Sequence, residues 1–192
     1  MPRVHKMRLL AAAALLIHPS APLQTVGIVG AGPAGLTLAV ALNRALPDVA
    51  VTIFDRSDSC RPALGGGVQL NSGAAVLARL DPALGAAVAK LGQPVRRVRS
   101  RTAGGDGLLD LDLAAAIRGD ARARERGLVD ADGGVRAYTI MRDALQATLR
   151  DALGSQTKLE LGAAVKGIRA AAGGGSEVAL ADGTARRFDL VA

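Results

Sequence analysis

Aromatic side chains are almost missing from this chain: it holds no Trp, one Tyr and two Phe, 2% of 192 residues. That shortage removes the stacking platforms on which single-stranded nucleic acids are usually held. It also leaves Ala, Leu and Val to build the core, with little apolar area per residue and modest expected stability. Cys60 is the only cysteine, so an internal disulfide and a cysteine-rich metal site are both excluded. With two histidines, a zinc centre is a poor reading. Long apolar runs are scarce as well: Leu9 to Ile17 is nine residues, against the roughly twenty that span a bilayer. No transmembrane segment is expected.

What is present is apolar, glycine-rich and basic. Apolar residues make up 49% and there are 24 glycines, which places the chain among globular proteins with one sizeable core. The net charge is +7. Much of it lies in Arg96, Arg97, Arg99 and Arg101 and in Arg118, Arg122, Arg124 and Arg126. Both groups read as solvated faces rather than a nucleic-acid surface, and the basic excess suits an anionic cofactor.

Residues 1–24 read as an N-terminal extension outside the fold. They carry Arg3, Lys6 and Arg8, no acid, and then the short apolar run. A secretory signal, an organellar leader and a start at Met7 are three open readings, since His18 to Pro22 offers no small-x-small cleavage site. A cytoplasmic place is slightly favoured, with the signal or leader as alternatives.

The most specific stretch is Val26 to Asp55: an apolar strand, the turn Gly30-Ala31-Gly32-Pro33-Ala34-Gly35, a helix, and a second strand closing on an acid. Gly30 allows the sharp strand-to-helix turn. Gly32 lets backbone N–H groups approach a pyrophosphate, and Gly35 lets helix and strand pack closely. Asp55 lies twenty residues beyond Gly35, where a carboxylate accepts hydrogen bonds from a ribose diol. The bland alternative is a glycine-rich turn that happens to join a strand and a helix. The full strand–turn–helix–strand–acid context points to a dinucleotide site, with Gly30, Ala31, Gly32, Ala34, Gly35 and Asp55 as its residues.

Farther on, Arg56 to Gly67 reads as an irregular crossing and Val68 to Leu70 as a short extended piece. Ser72 is expected to cap a helix to about Leu80, and Asp81-Pro82 to open another to about Leu91. Val95 to Thr102, Leu108 to Leu113 and Arg136 to Ile140 read as strands. Residues 114–134 read as a mobile insertion. Arg142 to Leu153 has the apolar spacing of an amphipathic helix. Three further strands follow, at Thr157 to Leu161, Val165 to Ala170 and Glu177 to Leu180, then an Asp182-Gly183 turn and a last strand, Phe188 to Val191.

In this order the pieces resemble the first half of FAD-dependent monooxygenases of the aromatic-hydroxylase type. Four motifs carry the resemblance: the Gly30–Gly35 turn with Asp55-Arg56; Arg61-Pro62 with Leu64-Gly65-Gly66-Gly67-Val68-Gln69-Leu70; Met141-Arg142-Asp143-Ala144-Leu145; and Ala181-Asp182-Gly183-Thr184 leading to Phe188-Asp189-Leu190-Val191-Ala192. Asp55 stands where that family usually has Glu.

The resemblance implies an α/β, Rossmann-like FAD/NAD(P)-binding layered fold. Val26–Gly30, Val51–Asp55, Thr157–Leu161 and Phe188–Val191 would be its parallel strands. Residues 165–181 would form a small antiparallel β-meander. Strands near 95–113 and 136–140 would begin a substrate-domain sheet. Residues 25–192 would be an FAD-binding domain, incomplete at its C-terminus.

The implied cofactors are FAD, with NAD(P)H as a transient electron donor, and the implied partner is a small organic substrate hydroxylated with O2. The residues that would meet FAD, beyond the turn and Asp55, are Arg56, Gly66 and Arg142. The alternatives are a helix residue pairing with Asp143 or Asp151 for Arg142, a solvated arginine for Arg56, and part of a flexible crossing for Gly66. Gln69 and Asn71 read as capping the following helix, with a place facing the substrate as the alternative. A non-catalytic nucleotide-binding module, or an inactive gene remnant, and an NAD(P)-linked dehydrogenase are the alternatives.

Overall fold

A computed structural model describes residues 22–59 and 66–192. The readings placed on residues 1–21, on Cys60 and on Arg61 to Gly65 lie outside the described residues.

Along the chain, β1 (Thr25–Val29), α1 (Pro33–Ala45) and β2 (Ala50–Phe54) form the first unit. Then come β3 (Gly67–Leu70), α2 (Ser72–Leu80), α3 (Pro82–Leu91), β4 (Gln93–Pro94), β5 (Arg97–Arg101) and β6 (Gly107–Asp112). Two short helices follow, α4 (Leu113–Gly119) and α5 (Ala121–Glu125), then β7 (Tyr138–Met141) and α6 (Arg142–Asp151). The last part is all strand: β8 (Thr157–Glu160), β9 (Val165–Ala170), β10 (Ser176–Leu180), β11 (Ala185–Phe188) and β12 (Leu190–Val191).

β12, β1, β2 and β8 lie side by side in that order, all parallel. The two central strands, β1 and β2, are mainly apolar because both faces are covered. Val26, Ile28, Val51 and Ile53 turn to one face and pack with Leu36, Ala39 and Val40 of α1, Leu84 and Val88 of α3, and Leu145 and Leu149 of α6. The other face holds Phe54, which packs with Val178, Leu180 and Phe188 of the meander β11-β10-β9. Phe54 and Phe188 meet edge to face at 5.7 Å, so two of the three aromatics sit in this second layer. A Cβ at Gly27 would lie 3.0 Å from the Phe188 ring; the missing side chain makes room for it. The result is three layers, helices, parallel sheet and meander.

The structure corrects the sequence reading in several places. Residues 136–140 meet the 95–113 stretch at its start, where the Val95 N–H donates to the Ala137 carbonyl at 2.8 Å, but do not share a sheet with its strands at 97–112. β7 pairs instead with β3 and β4, while β5 and β6 form a separate hairpin. Residues 114–134 are not a featureless insertion. The Asp112 and Asp120 carboxylates accept from the Ala115 and Arg122 N–H groups and so start α4 and α5. Ala123 and Leu128 then bury against Ala75 of α2. Ser72 is the first helical residue of α2 rather than its cap. The cap position is Asn71, and no side chain closes it.

The end of the chain divides between two sheets. Phe188 ends β11 of the meander, and only Leu190–Val191 joins the parallel sheet. Asp189 stands at the division. Its Oδ2 accepts from the Gln24 and Thr25 N–H groups and the Thr25 hydroxyl, at 2.8 to 3.0 Å.

Candidate nucleotide site

The glycine turn lies at the carboxyl end of β1, beside the carboxyl end of β2, where parallel α/β sheets place their ligands. Gly30 has φ +107°, a conformation that L side chains rarely adopt, and its N–H donates to the Phe54 carbonyl at 2.7 Å. A Cβ on Gly35 would stand 2.1 Å from the Gly30 carbonyl oxygen. This position admits no side chain. Gly32 is different: a Cβ there would meet nothing within 4 Å, so it would project into the mouth of the turn.

The helix start supplies the donors. Gly32 is the cap position of α1, and Pro33, which has no N–H, is its first residue. The first bond of the helix runs from the Leu36 N–H to the Gly32 carbonyl at 3.0 Å. The N–H groups of Gly32, Ala34 and Gly35 have no partner among the described residues. Three free donors at the positive end of a helix make an anion cradle.

Asp55 closes the site from β2. Its Oδ2 accepts from the Ala31 N–H at 2.7 Å and its Oδ1 from the Ser57 N–H at 2.8 Å. Burial pushes this carboxyl up, but the Ser57 and Ala31 N–H groups, the Ser57 hydroxyl and the Arg56 charge outweigh it, and the net pKa falls below 3.8. Asp55 is therefore a carboxylate at neutral pH. Each oxygen retains acceptor capacity after its one backbone bond.

Arg142, the first residue of α6, is exposed and has no hydrogen-bond or ion-pair partner among the described residues. It does not pair with Asp143 or Asp151, the bland reading considered from sequence. α6 touches the turn directly through Gln146, whose Nε2 donates to the Ala31 carbonyl at 3.0 Å. Arg142 lies four residues earlier on the same helix face, about 6 Å along the axis. Gly67 pairs with Met141, and that register carries Gly66 to the Arg142 end of the ladder. Gly66 has open space where a Cβ would be. Arg56 is exposed and next to Asp55.

Thus Gly30, Ala31, Gly32, Ala34, Gly35 and Asp55 come together directly, while Gly66 and Arg142 lie where the β3–β7 ladder meets α6, the helix that touches the turn through Gln146. Gln146 escaped the sequence reading. Its available signal was the four-residue spacing from Arg142, which puts both on one helix face.

Residues 28–91 match the model of a family described as NAD(P)-binding Rossmann-like domain. This chain has the Rossmann-like nucleotide-binding fold. Solved structures repeat it over most of the chain. HpxO of Klebsiella pneumoniae, complexed with FAD, is 22% identical with a TM-score of 0.65, covering 88% of this chain and 38% of that one. A 2-methyl-3-hydroxypyridine-5-carboxylic acid oxygenase is 18% identical, with a TM-score of 0.64 and coverage of 88% and 38%. The Diels-Alderase PyrE3 is 20% identical, with a TM-score of 0.62 and coverage of 88% and 31%. The chain spans about a third of the length of these structures. Among curated proteins no sequence matches. An oxygenase and a Diels-Alderase on one fold show that the fold does not by itself fix the reaction.

Proposed function

We propose that this chain is the FAD-binding part of a flavin-dependent monooxygenase that hydroxylates a small organic substrate with O2 and NAD(P)H. The observation that carries the reading is the set of three N–H donors at the start of α1 that have no partner among the described residues, flanked by the Asp55 carboxylate and by α6, whose Arg142 has none among them either. In this reading the N–H groups of Gly32, Ala34 and Gly35 hold the pyrophosphate, and the Arg142 guanidinium adds a forked cationic contact. Asp55 accepts a ribose hydroxyl. Gly66 lets the backbone of the β3 edge run close to the cofactor, and Arg56 borders it. The fold shared with HpxO in its FAD complex supports flavin as the dinucleotide. When bound, FAD supplies the redox chemistry, and the protein positions it and controls access.

The family description names NAD(P), which favours a second reading, an NAD(P)-linked oxidoreductase. One titration separates the two. Residues 1–192 are titrated with FAD, followed by flavin fluorescence, and with NAD, followed by calorimetry. The flavin reading expects saturable FAD binding at least about tenfold tighter than NAD. A folded protein that takes NAD in preference would replace it with the second reading.

A further inference from the structure

The Ala31 residue is gripped on both of its peptide groups, and only one grip follows from the acid that ends β2. The Gly30–Ala31 peptide is held through its N–H, which donates to Asp55 Oδ2 at 2.7 Å. The Ala31–Gly32 peptide is held through its carbonyl, which accepts from Gln146 Nε2 at 3.0 Å, across 115 residues of sequence. A carbonyl oxygen only accepts, so the NH2 end of the glutamine amide must face it.

A trans peptide is planar, and its C=O and N–H point in opposite directions. The described residues contain no cis peptide bond. With the Ala31 carbonyl turned toward Gln146, the Gly32 N–H is turned away from it, and like the N–H groups of Ala34 and Gly35 it has no partner among the described residues. Gly32 has no side chain to resist rotation of this peptide. A flip would replace its N–H by a carbonyl oxygen, which repels an anion. Ala31 is buried, 4% exposed, so a carbonyl left without its donor would find little water in place of the glutamine.

We propose that Gln146 is a positioning residue of the nucleotide site, locking the Ala31–Gly32 peptide with its N–H presented to a bound pyrophosphate. The inference rests on the dinucleotide reading of the turn, and it applies to FAD and NAD alike because both carry a pyrophosphate.

The test uses the full chain and three variants, Gln146→Leu, Gln146→Glu, and Gln146→Glu combined with Arg142→Gln. FAD and NAD are titrated against each between pH 5 and pH 8, with thermal unfolding of the ligand-free proteins alongside. Around residue 146 stand Arg142, Asp143 and Arg150 on α6 and Asp55 beyond Ala31; the combined variant removes the pairing that a new carboxylate could form with Arg142. Gln146→Leu should bind whichever dinucleotide the parent takes about tenfold more weakly.

Gln146→Glu should be at least as weak at pH 8, where two acceptors face each other. It should then recover toward the parent as the pH falls and the carboxyl regains a proton to donate. The recovery should survive in the combined variant. A merely structural glutamine would lower the unfolding temperature without this pH signature. Dinucleotide affinity unchanged in Gln146→Leu, or a Gln146→Glu ratio to the parent that is flat with pH, overturns the proposal. Preference for NAD with the Gln146 effects intact overturns the flavin reading and leaves this one standing. A folded parent that binds neither overturns both.

Discussion

Gly32 and Gly35 sit three residues apart in one turn, yet the structure assigns them opposite duties. A methyl group on Gly35 would lie 2.1 Å from the Gly30 carbonyl oxygen, a backbone atom that cannot step aside. Gly35→Ala should therefore cost about 3 kcal/mol or more of stability, at the upper end of overpacking, read as a lower urea midpoint. At Gly32 a methyl group meets nothing within 4 Å, and φ is −74°. Gly32→Ala should keep stability within about 0.5 kcal/mol of the parent and lose at least about tenfold in FAD affinity, with Gly32→Val losing more. Equal stability losses in the two alanine variants would refute this division. Asp55 makes a pH prediction at the same scale. Its folded pKa lies below 3.8, so its contribution to stability is complete above the unfolded value and is lost as the pH falls through the folded one. Asp55→Asn should show less loss of stability than the parent between pH 6 and pH 3, in urea unfolding followed by circular dichroism. Parallel curves would show that Asp55 gains nothing from its two backbone donors.

Elements declared themselves in the sequence in proportion to how local their causes are. β1 and β2 are short, mainly apolar runs bounded by turn residues, and α6 repeats its leucines at helical spacing, so a short window of residues shows each of them. α4 and α5 are also started locally, by Asp112 and Asp120, but what holds them is burial of Ala123 and Leu128 on Ala75, with Ile117 of α4 packed against that cluster. That contact belongs to the folded chain and is silent in the sequence. The division of the last strand at Asp189 is silent for the same reason, since its partners, Gln24 and Thr25, are 165 and 164 residues away. Those backbone N–H groups and the Thr25 hydroxyl lower the Asp189 pKa. Asp189→Ala should therefore loosen the junction of β11, β12 and β1. The expected result is a lower unfolding temperature and faster amide exchange at Gln24 and Thr25, with a smaller effect in Thr25→Val, which removes the hydroxyl but leaves both backbone N–H donors. Fully additive losses in the double variant would show that the two residues act separately.

At the scale of the whole molecule, the parallel sheet, the meander and the nucleotide turn were legible because each is written in apolar periodicity or glycine spacing. The pairing of β7 with β3 rather than with the β5–β6 hairpin was not, because all these strands are short and several partners would satisfy them equally. This leaves the molecule uneven. β1 and β2 are central strands, with Val26 and Ile53 fully buried and a layer on either face. The β5–β6 hairpin has two strands only, with Leu108 66% and Leu109 49% exposed. Arg97 binds Asp110 across it through both Nε and an Nη, but both side chains are about half exposed, and such pairs add little. A two-stranded ribbon is marginal without a covering layer. Native-state amide exchange should therefore be about a hundredfold or more faster in residues 98–111 than in 26–29 and 51–54, with the sheet exchanging only through global unfolding. FAD should slow exchange in the turn at residues 30–36 and leave the hairpin rates unchanged, since no site residue lies on β5 or β6. Hairpin amides as protected as those of β1 would mean that something in solution covers Leu109 and Leu111, and a second copy of the chain would be the first candidate to weigh by sedimentation.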